Sequence, residues 1–281
     1  MKRNGSLGAI LCLCSFICFA QENYEIQVYA SPTMTKGFSM VELHSNFTFD
    51  GEKSIIDKVR PSFHSLHETL EITNGLTKNF ELGFYLFTNY TSPYGYQVVG
   101  AHIRPRVCVP EEWHWPFGAS LSAEFGYQKA DYSDQTWNIE LRPIIDKQFN
   151  HFYLGFNPVF GISLKGTDNS HTPSFEPNVK TSWTFNKVAL GFEYYGDMGP
   201  VNNMPSLSQQ GHTLFAAADL YIDPRWEFNI GPGWGLTPAT DGFIFKILVG
   251  RRFPWHPKKE TEKNTASLGL FTAGHPSSRH S

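Results

Sequence analysis

Four side chains that could ligate a metal lie close together near the start of the chain: His64, His67, Glu68 and Glu71. On a helix they would share one face at a spacing that suits Zn²⁺, which binds imidazole nitrogen and carboxylate oxygen. The surrounding residues alternate apolar and polar side chains, so we predict a strand, in which successive side chains point to opposite faces. A strand separates His67 and Glu71 from His64 and Glu68. Glu71 also stands where a zincin needs its second histidine, so no metal site is predicted here.

Lipid hydrolysis is a second chemistry to weigh, because a small membrane barrel with Ser or Thr, His and an acid near its outer rim could perform it. Ser and His are plentiful, but the sequence does not show which of them would meet across strands. It contains no Gly-x-Ser-x-Gly motif, phosphate-binding loop or dinucleotide fingerprint. We therefore predict that the protein is not an enzyme and has no catalytic residue and no cofactor.

Charged side chains recur on the polar faces of the predicted strands, with acids and bases in nearly equal numbers. The candidates for lining a lumen are Glu42, Glu81, Arg104, Glu124, Glu140, Arg142 and Lys180. Buried charges need partners, so this balance favours cross-strand ion pairs that would narrow or close a lumen over a filter of one sign. The strand count leaves open whether the lumen conducts.

The elements that must position these residues are twelve stretches of about ten residues that alternate in polarity, as barrel strands do. In the third stretch, Phe80, Leu82 and Phe84 face one way while Glu81 and Gly83 face the other. Strands are predicted at residues 37–49, 61–75, 80–90, 96–109, 117–128, 136–146, 151–165, 174–185, 188–196, 212–222, 226–235 and 242–253.

The connections between these strands alternate in length. Those after odd-numbered strands are long and those after even-numbered strands are mostly tight, with 110–116 as the exception. This asymmetry is typical of a bacterial barrel with both termini on the periplasmic side. Because backbone groups in lipid must all be paired, an even set of antiparallel strands should close on itself. The predicted fold is all-β, a closed antiparallel transmembrane β-barrel of about 12 strands, with ten or fourteen also compatible.

Prolines within several strands count against an ideal barrel, because each removes a ladder hydrogen bond. We expect them near rims or bulges. They are Pro61, Pro105, Pro143, Pro158 and Pro177.

The N-terminus has the features of an export signal. Lys2 and Arg3 precede an apolar run, and Ala20 precedes Gln21, so residues 1–20 are predicted to be a cleaved signal peptide. The remaining predicted divisions are an N-terminal lead segment (21–36), the outer-membrane barrel (37–253) and a polar, disordered tail (254–281). The lead segment is interpreted as an extra strand, a periplasmic lead or a segment folded into the lumen.

Cysteine and charge usage narrow the class further. Three of the four cysteines lie in the signal, which leaves Cys108 alone and excludes an internal disulfide framework. Removing Lys2 and Arg3 with the signal changes the net charge from −3 to −5. A nucleic-acid-binding protein is typically basic, so this charge does not indicate nucleic-acid binding. After the signal no apolar run approaches the length of a spanning helix, which excludes a helical membrane protein.

Two segments carry a resemblance to known proteins. The stretch from Leu70 to Gly83, a strand ending in Gly-Leu-Thr followed by an aromatic-acidic-aliphatic-Gly run, resembles the early hairpin of uncharacterised Gram-negative outer-membrane proteins whose label mentions the meta pathway of phenol degradation. The last strand, with Thr240, Gly242 and Phe245, looks like the assembly signal of outer-membrane barrels, although the chain continues for 28 residues beyond Phe253. The resemblance implies a barrel and solute passage. It implies no particular solute.

The leading prediction is a porin-like passive pore or transporter for small solutes in the cell outer membrane. Its expected partners are outer-membrane lipid, an unidentified small solute and the barrel-assembly machinery, through the last strand. One alternative is a closed barrel with a structural or lipid-modifying role. Another is a secreted β-sandwich that binds glycans through exposed aromatic side chains.

Overall fold

The structure, a computed structural model, describes residues 23–166 and 171–256. The predicted signal peptide and most of the predicted tail lie outside the described residues. The strands are β1 (Phe38–Asp50), β2 (Ser65–Gly75), β3 (Phe80–Thr91), β4 (Gly95–Cys108), β5 (Gly118–Gln128), β6 (Gln135–Phe149), β7 (Phe152–Gly166), β8 (Ser174–Phe185), β9 (Val188–Asp197), β10 (Gly211–Leu220), β11 (Trp226–Gly235) and β12 (Phe243–Pro254).

Each strand pairs antiparallel with its neighbours in sequence, and β1 pairs with β12 to close the sheet. The closing register runs from Phe38 opposite Pro254 to Thr48 opposite Ile244, with a bulge at the end of β1. The predicted closed antiparallel barrel of 12 strands is therefore confirmed. The glycan-binding sandwich is wrong, because a sandwich has two separate sheets. No helix in the described ranges is long and apolar enough to cross a membrane.

The barrel has its apolar face outside and its polar face inside. In β3, Phe84 and Leu86 are exposed on the outer surface, whereas Tyr85 and Phe87 are buried in the interior. This follows from the period of two along a strand, which sends every second side chain into the lumen. Such an outer surface suits a hydrocarbon environment.

The strand bounds agree with the prediction to within a few residues, with one difference at β2. Residues 61–64 were expected to begin this strand, but it begins at Ser65. His64 has a φ of 53°, in the left-handed region, and Phe63 and His64 form a turn instead. Such a conformation cannot continue a strand. His67 and Glu71 then face the lumen and Glu68 faces outward, as the strand interpretation requires.

The expectation that prolines would lie near rims or bulges is wrong for Pro158, which lies in the middle of β7, whereas Pro177 lies near the start of β8. Pro158 of β7 lies opposite Pro177 of β8 in an unshifted register. Between β6 and β7 the ladder is interrupted from Leu141 to Ile145, around Pro143, yet the register on both sides is the same. Pro143 therefore interrupts the backbone pairing between β6 and β7 locally, and the register of the two strands is unchanged.

The two rims differ. The rim at the ends of the even-numbered strands, here the turn rim, carries the tight connections, and the opposite rim, here the loop rim, carries the longer ones. Residues 23–36 join no strand. They run inside the barrel from the loop rim to the turn rim, where β1 begins. The barrel wall begins at Phe38 and ends at Pro254, both at the turn rim, whereas Asn23 lies at the loop rim.

Candidate functional site

The main feature of the lumen is the stretch of residues 23–36, which we call the lumen segment. At the loop rim, the Asn23 amide donates hydrogen bonds to the Thr48 hydroxyl (3.3 Å) and to the carboxylate of Asp241. At the turn rim, the backbone N–H of Gly37 donates to the carbonyl of Gly75 (2.9 Å). The segment therefore spans the interior from one end to the other.

The backbone of the lumen segment is held by side chains of the wall. Thr69 donates to the carbonyl of Tyr24 (2.7 Å), and the Lys246 ammonium donates to that of Ile26 (3.1 Å). The Asn157 amide binds both backbone groups of Tyr29, at 2.7 and 3.0 Å. Buried backbone groups need partners, and here polar lumen residues supply what a sheet ladder would otherwise provide.

Closer to the turn rim the anchors are charged. The Arg106 guanidinium donates to the carbonyls of Ala30 (3.0 Å) and Pro32 (3.1 Å). The Asp146 carboxylate accepts from both the N–H (3.0 Å) and the hydroxyl (2.6 Å) of Ser31. Hydrogen bonds to charged groups are stronger than neutral ones, so these contacts hold the segment firmly.

Two glycines in the wall let the segment approach closely. A Cβ on Gly75 would lie 2.2 Å from the carbonyl oxygen of Thr35, and a Cβ on Gly118 would lie 2.1 Å from the Ser31 hydroxyl. Neither position accepts a side chain without moving the segment.

The loop half of the lumen is filled by apolar side chains. Ile26 and Val28 pack with the wall residues Tyr195 and Phe215, and Tyr24 belongs to a second cluster. The second cluster comprises Tyr24, Tyr85, Phe87 and Val99.

Loops cover the loop rim above these clusters. Arg60, in the connection after β1, forms an ion pair with Asp131 after β5 (2.6 Å) and donates to the Tyr132 hydroxyl (2.8 Å). Its guanidinium also lies 4.1 Å from the ring centre of Tyr94. The connection after β1 therefore folds over the opening and contacts the loops after β3 and β5.

Two of the predicted lumen residues form one buried network. Arg104 forms ion pairs with Glu81 (2.9 Å) and with Glu71 (2.5 Å). Glu81 also pairs with Arg106 (2.8 Å), which reaches the lumen segment. Register explains the meeting, because Glu81 lies opposite Arg106 across β3 and β4.

Four further predicted lumen residues also face the interior and have charged partners. Lys180 pairs with Asp219 (2.8 Å) and Glu193 (3.0 Å), and Glu193 also binds Lys246. The remaining two pairs lie elsewhere on the wall: His102 with Glu124 (2.5 Å) and Arg142 with Glu140 (2.6 Å).

The seventh predicted residue, Glu42, differs from the others. Its side chain is buried, at 4% exposure, and its Oε1 atom accepts no hydrogen bond. It lines a cavity of about 750 Å³ at the turn-rim end of the lumen, between the lumen segment and the wall. Lys180, Asp219 and Glu227 also line this cavity.

Sequence reasoning missed the groups that hold the lumen segment. Neither Asp146 nor Asn157 was singled out. A usable signal is that both lie at lumen-facing positions of their strands. Their partners Ser31 and Tyr29 lie far away in sequence, which hides the pairing.

At the loop rim, Asp241 is the ionisable anchor of the segment. Burial raises the pKa of its carboxyl group, against the opposing effect of hydrogen bonds donated by Ser62 and Asn23. Within the described residues, no group of three or more His, Cys, Asp and Glu is arranged to hold a metal ion.

No protein-family model and no curated protein matches the chain, so the resemblance to the phenol meta-pathway family has no support from a family model. Among solved structures, a KdgM porin in complex with disordered oligogalacturonate is 11% identical, with a TM-score of 0.47 over 77% of this chain and 99% of that one. A NanC porin is 7% identical, with a TM-score of 0.49 over 75% and 97% of the two chains. The outer membrane protein Omp33 of Acinetobacter baumannii is 10% identical, with a TM-score of 0.43 over 78% and 99%. Likenesses at this identity indicate no solute.

Proposed function

We propose that this protein is an outer-membrane barrel that passes small solutes, and that the lumen segment restricts the passage until it moves. The observation that carries the proposal is a closed barrel with an apolar exterior, whose polar interior holds a separate stretch of chain and an open cavity of about 750 Å³. A barrel of this polarity suits a bilayer, and the predicted export signal would deliver it across the inner membrane.

The sheet does not depend on the lumen segment for closure. All twelve ladders are made between wall strands, and the segment contributes to none of them. Its contacts are side-chain hydrogen bonds and ring packing, which can be exchanged for water one by one. Displacing the segment would leave a barrel of intact backbone pairing with a wider, polar lumen.

The first test is to refold residues 21–281 in detergent and record single-channel currents in a planar bilayer, beside a variant lacking residues 23–33. We expect small or infrequent steps from the parent chain and a severalfold larger conductance from the variant, because a filled lumen admits little electrolyte. The matched control lacks an equal number of residues at the other end of the chain, 271–281, and should behave as the parent does. If the shortened barrel inserts and carries no current, the pore proposal fails.

The second test locks the segment instead of removing it. The Thr33 hydroxyl lies 3.4 Å from the Sγ atom of Cys108, so Thr33→Cys places two thiols within reach of a disulfide. We expect oxidation to hold the current at its low level and a reducing agent to release it. The control is Thr33→Cys in a Cys108→Ser background, which should not respond to redox conditions. Equal currents before and after reduction of a verified disulfide would show that the segment does not gate.

A second candidate function is a closed barrel with a structural role. The packing of Tyr24, Phe87 and Phe215 in the loop half favours it. The same recordings decide between the two, because a structural barrel inserts without current even when residues 23–33 are missing.

Further partners remain predictions. The outer belt would contact outer-membrane lipid, and β12, the strand that closes the barrel, would be recognised by the barrel-assembly machinery. The solute is unidentified, and the label of the family that the Leu70–Gly83 stretch resembles does not identify it.

A further inference from the structure

The turn-rim cavity contains a carboxylate that has no partner in the protein. Glu42 projects from β1 into this cavity, its side chain is nine-tenths or more buried, and its Oε1 atom accepts no hydrogen bond. A buried carboxyl group without a partner is costly to ionise, and an ion pair or a cationic ligand offsets that cost.

Five other carboxylates that line the cavity are already paired. Glu71 and Glu81 bind Arg104, Glu193 and Asp219 bind Lys180, and Glu227 binds Arg252 (2.5 Å). The buried basic groups of the cavity wall are therefore engaged elsewhere. Among the described residues, no lysine or arginine forms an ion pair with Glu42.

Glu42 and a second acidic side chain pack against the same glycine of β12. Glu42 lies opposite Gly250 of β12, which in turn lies opposite Glu227 of β11. A Cβ on Gly250 would be 2.8 Å from the Cγ atom of Glu42 and 3.3 Å from the Cβ atom of Glu227. Two acidic side chains thus flank a position without a side chain, and only Glu227 has a basic partner.

We propose that the turn-rim cavity binds the ammonium group of a small amine solute, with Glu42 as its counter-ion. The proposal rests on the proposed function for the idea that such a solute passes the barrel, but binding itself requires no conduction. An ammonium supplies the donor that the Oε1 atom lacks and the positive charge that the carboxylate lacks. The cavity volume of about 750 Å³ is large enough for a small organic cation.

Other ligand classes fit less well. A divalent metal prefers several oxygen ligands, and no arrangement of three such groups exists in the described ranges. An anion would meet an unpaired carboxylate, while the arginines that could attract it are already bound to glutamates.

The test is isothermal titration calorimetry of n-butylammonium chloride into the full barrel, residues 21–281, in detergent. We expect saturable binding that Glu42→Gln weakens by about tenfold or more, because one charge-assisted hydrogen bond is lost. Glu176→Gln, a substitution of a lumen acid that lies outside this cavity, is the matched control and should bind as the parent does. A second comparison uses the wild-type barrel alone. 1-Butanol, which lacks the positive charge of n-butylammonium, should bind to it far more weakly than n-butylammonium does.

Three outcomes overturn the proposal: no binding to the wild-type barrel, equal affinity of Glu42→Gln, or equal affinity for 1-butanol. The outcomes for binding and for conduction are separate. A barrel that binds butylammonium but never conducts supports the proposed binding site and contradicts the proposed pore. A barrel that conducts without binding butylammonium supports the pore and contradicts the binding site.

Discussion

The two halves of the lumen fill the interior of one barrel in different ways. In the loop half, rings of the wall pack on the lumen segment, as where Tyr24 meets Phe87 with ring centres 5.5 Å apart. In the turn half, charged wall residues pair with one another and leave a cavity of about 750 Å³. The segment is a core element in the first half and one wall of a cavity in the second.

The difference teaches where each kind of function can lie. Close packing excludes solutes, so under the proposed function the loop half is the part that would have to open. Paired charges around free volume admit small molecules, so the proposed binding site lies in the turn half. Substitutions in the two halves should therefore change different measurements.

The largest effect is expected from Arg104→Met in the turn half. The substitution leaves Glu71 and Glu81 without their shared cation, and breaking a buried ion pair costs about 3–5 kcal/mol of unfolding free energy. Unfolding in urea, followed by the shift in gel migration of the barrel, measures it. Arg252→Met is the control, because its pair with Glu227 is partly exposed and contributes about 0–1 kcal/mol. Similar losses of unfolding free energy in both variants would contradict the burial of the ion pairs that Arg104 forms with Glu71 and Glu81.

Phe87→Ala should act on the loop half. Phe87 is 2% exposed, and removing a buried ring costs about 3–5 kcal/mol, toward the lower end where the lumen segment can relax into the space. The same change should raise single-channel conductance, which Arg104→Met would not do unless the barrel unfolds. The control is Phe84→Ala on the outer face of the same strand, at 45% exposure, where no increase in conductance is expected. An unchanged current in a folded Phe87→Ala barrel would mean that the loop half is not the barrier.

The smallest effect is expected from pH at the loop-rim anchor. Burial raises the pKa of Asp241 in the folded barrel, so its protonated form is favoured by folding. Its contribution to stability is thus fully present below the usual aspartate pKa of about 4 and declines as pH rises through the raised value. Asp241→Asn should remove this part of the pH dependence of stability, measured as the midpoint of unfolding in urea at several pH values. A pH profile that is identical in the variant would assign the effect to another group.

The barrel itself was predictable because strand polarity is a local property. Alternation along β3, with Phe84 outward and Tyr85 inward, is visible in the sequence and survives in the structure. The start of β2 was missed because the left-handed conformation of His64 has no clear signal in residue type.

The lumen segment was not predictable to the same degree. Tyr24, Ile26 and Val28 alternate with polar residues just as a wall strand does, so the local pattern does not distinguish a strand that pairs from one that threads the interior. The sites of the ion pairs depend on register over several strands: Arg104 on β4 reaches Glu71 on β2 across β3. The local sequence therefore indicates which residues face inward. It does not indicate which of these residues contact one another.

The path of the lumen segment also constrains how the barrel is made. The first and last strands, β1 and β12, form the seam, so the sheet can close only after the whole wall has been synthesised. Drawing Tyr24 and Tyr29 lengthwise through a closed barrel would require the packed loop half to separate. An open, curling sheet can instead wrap around a chain that is already in place. We therefore expect variants that weaken the anchors of residues 23–36 to slow barrel closure before they alter the finished protein.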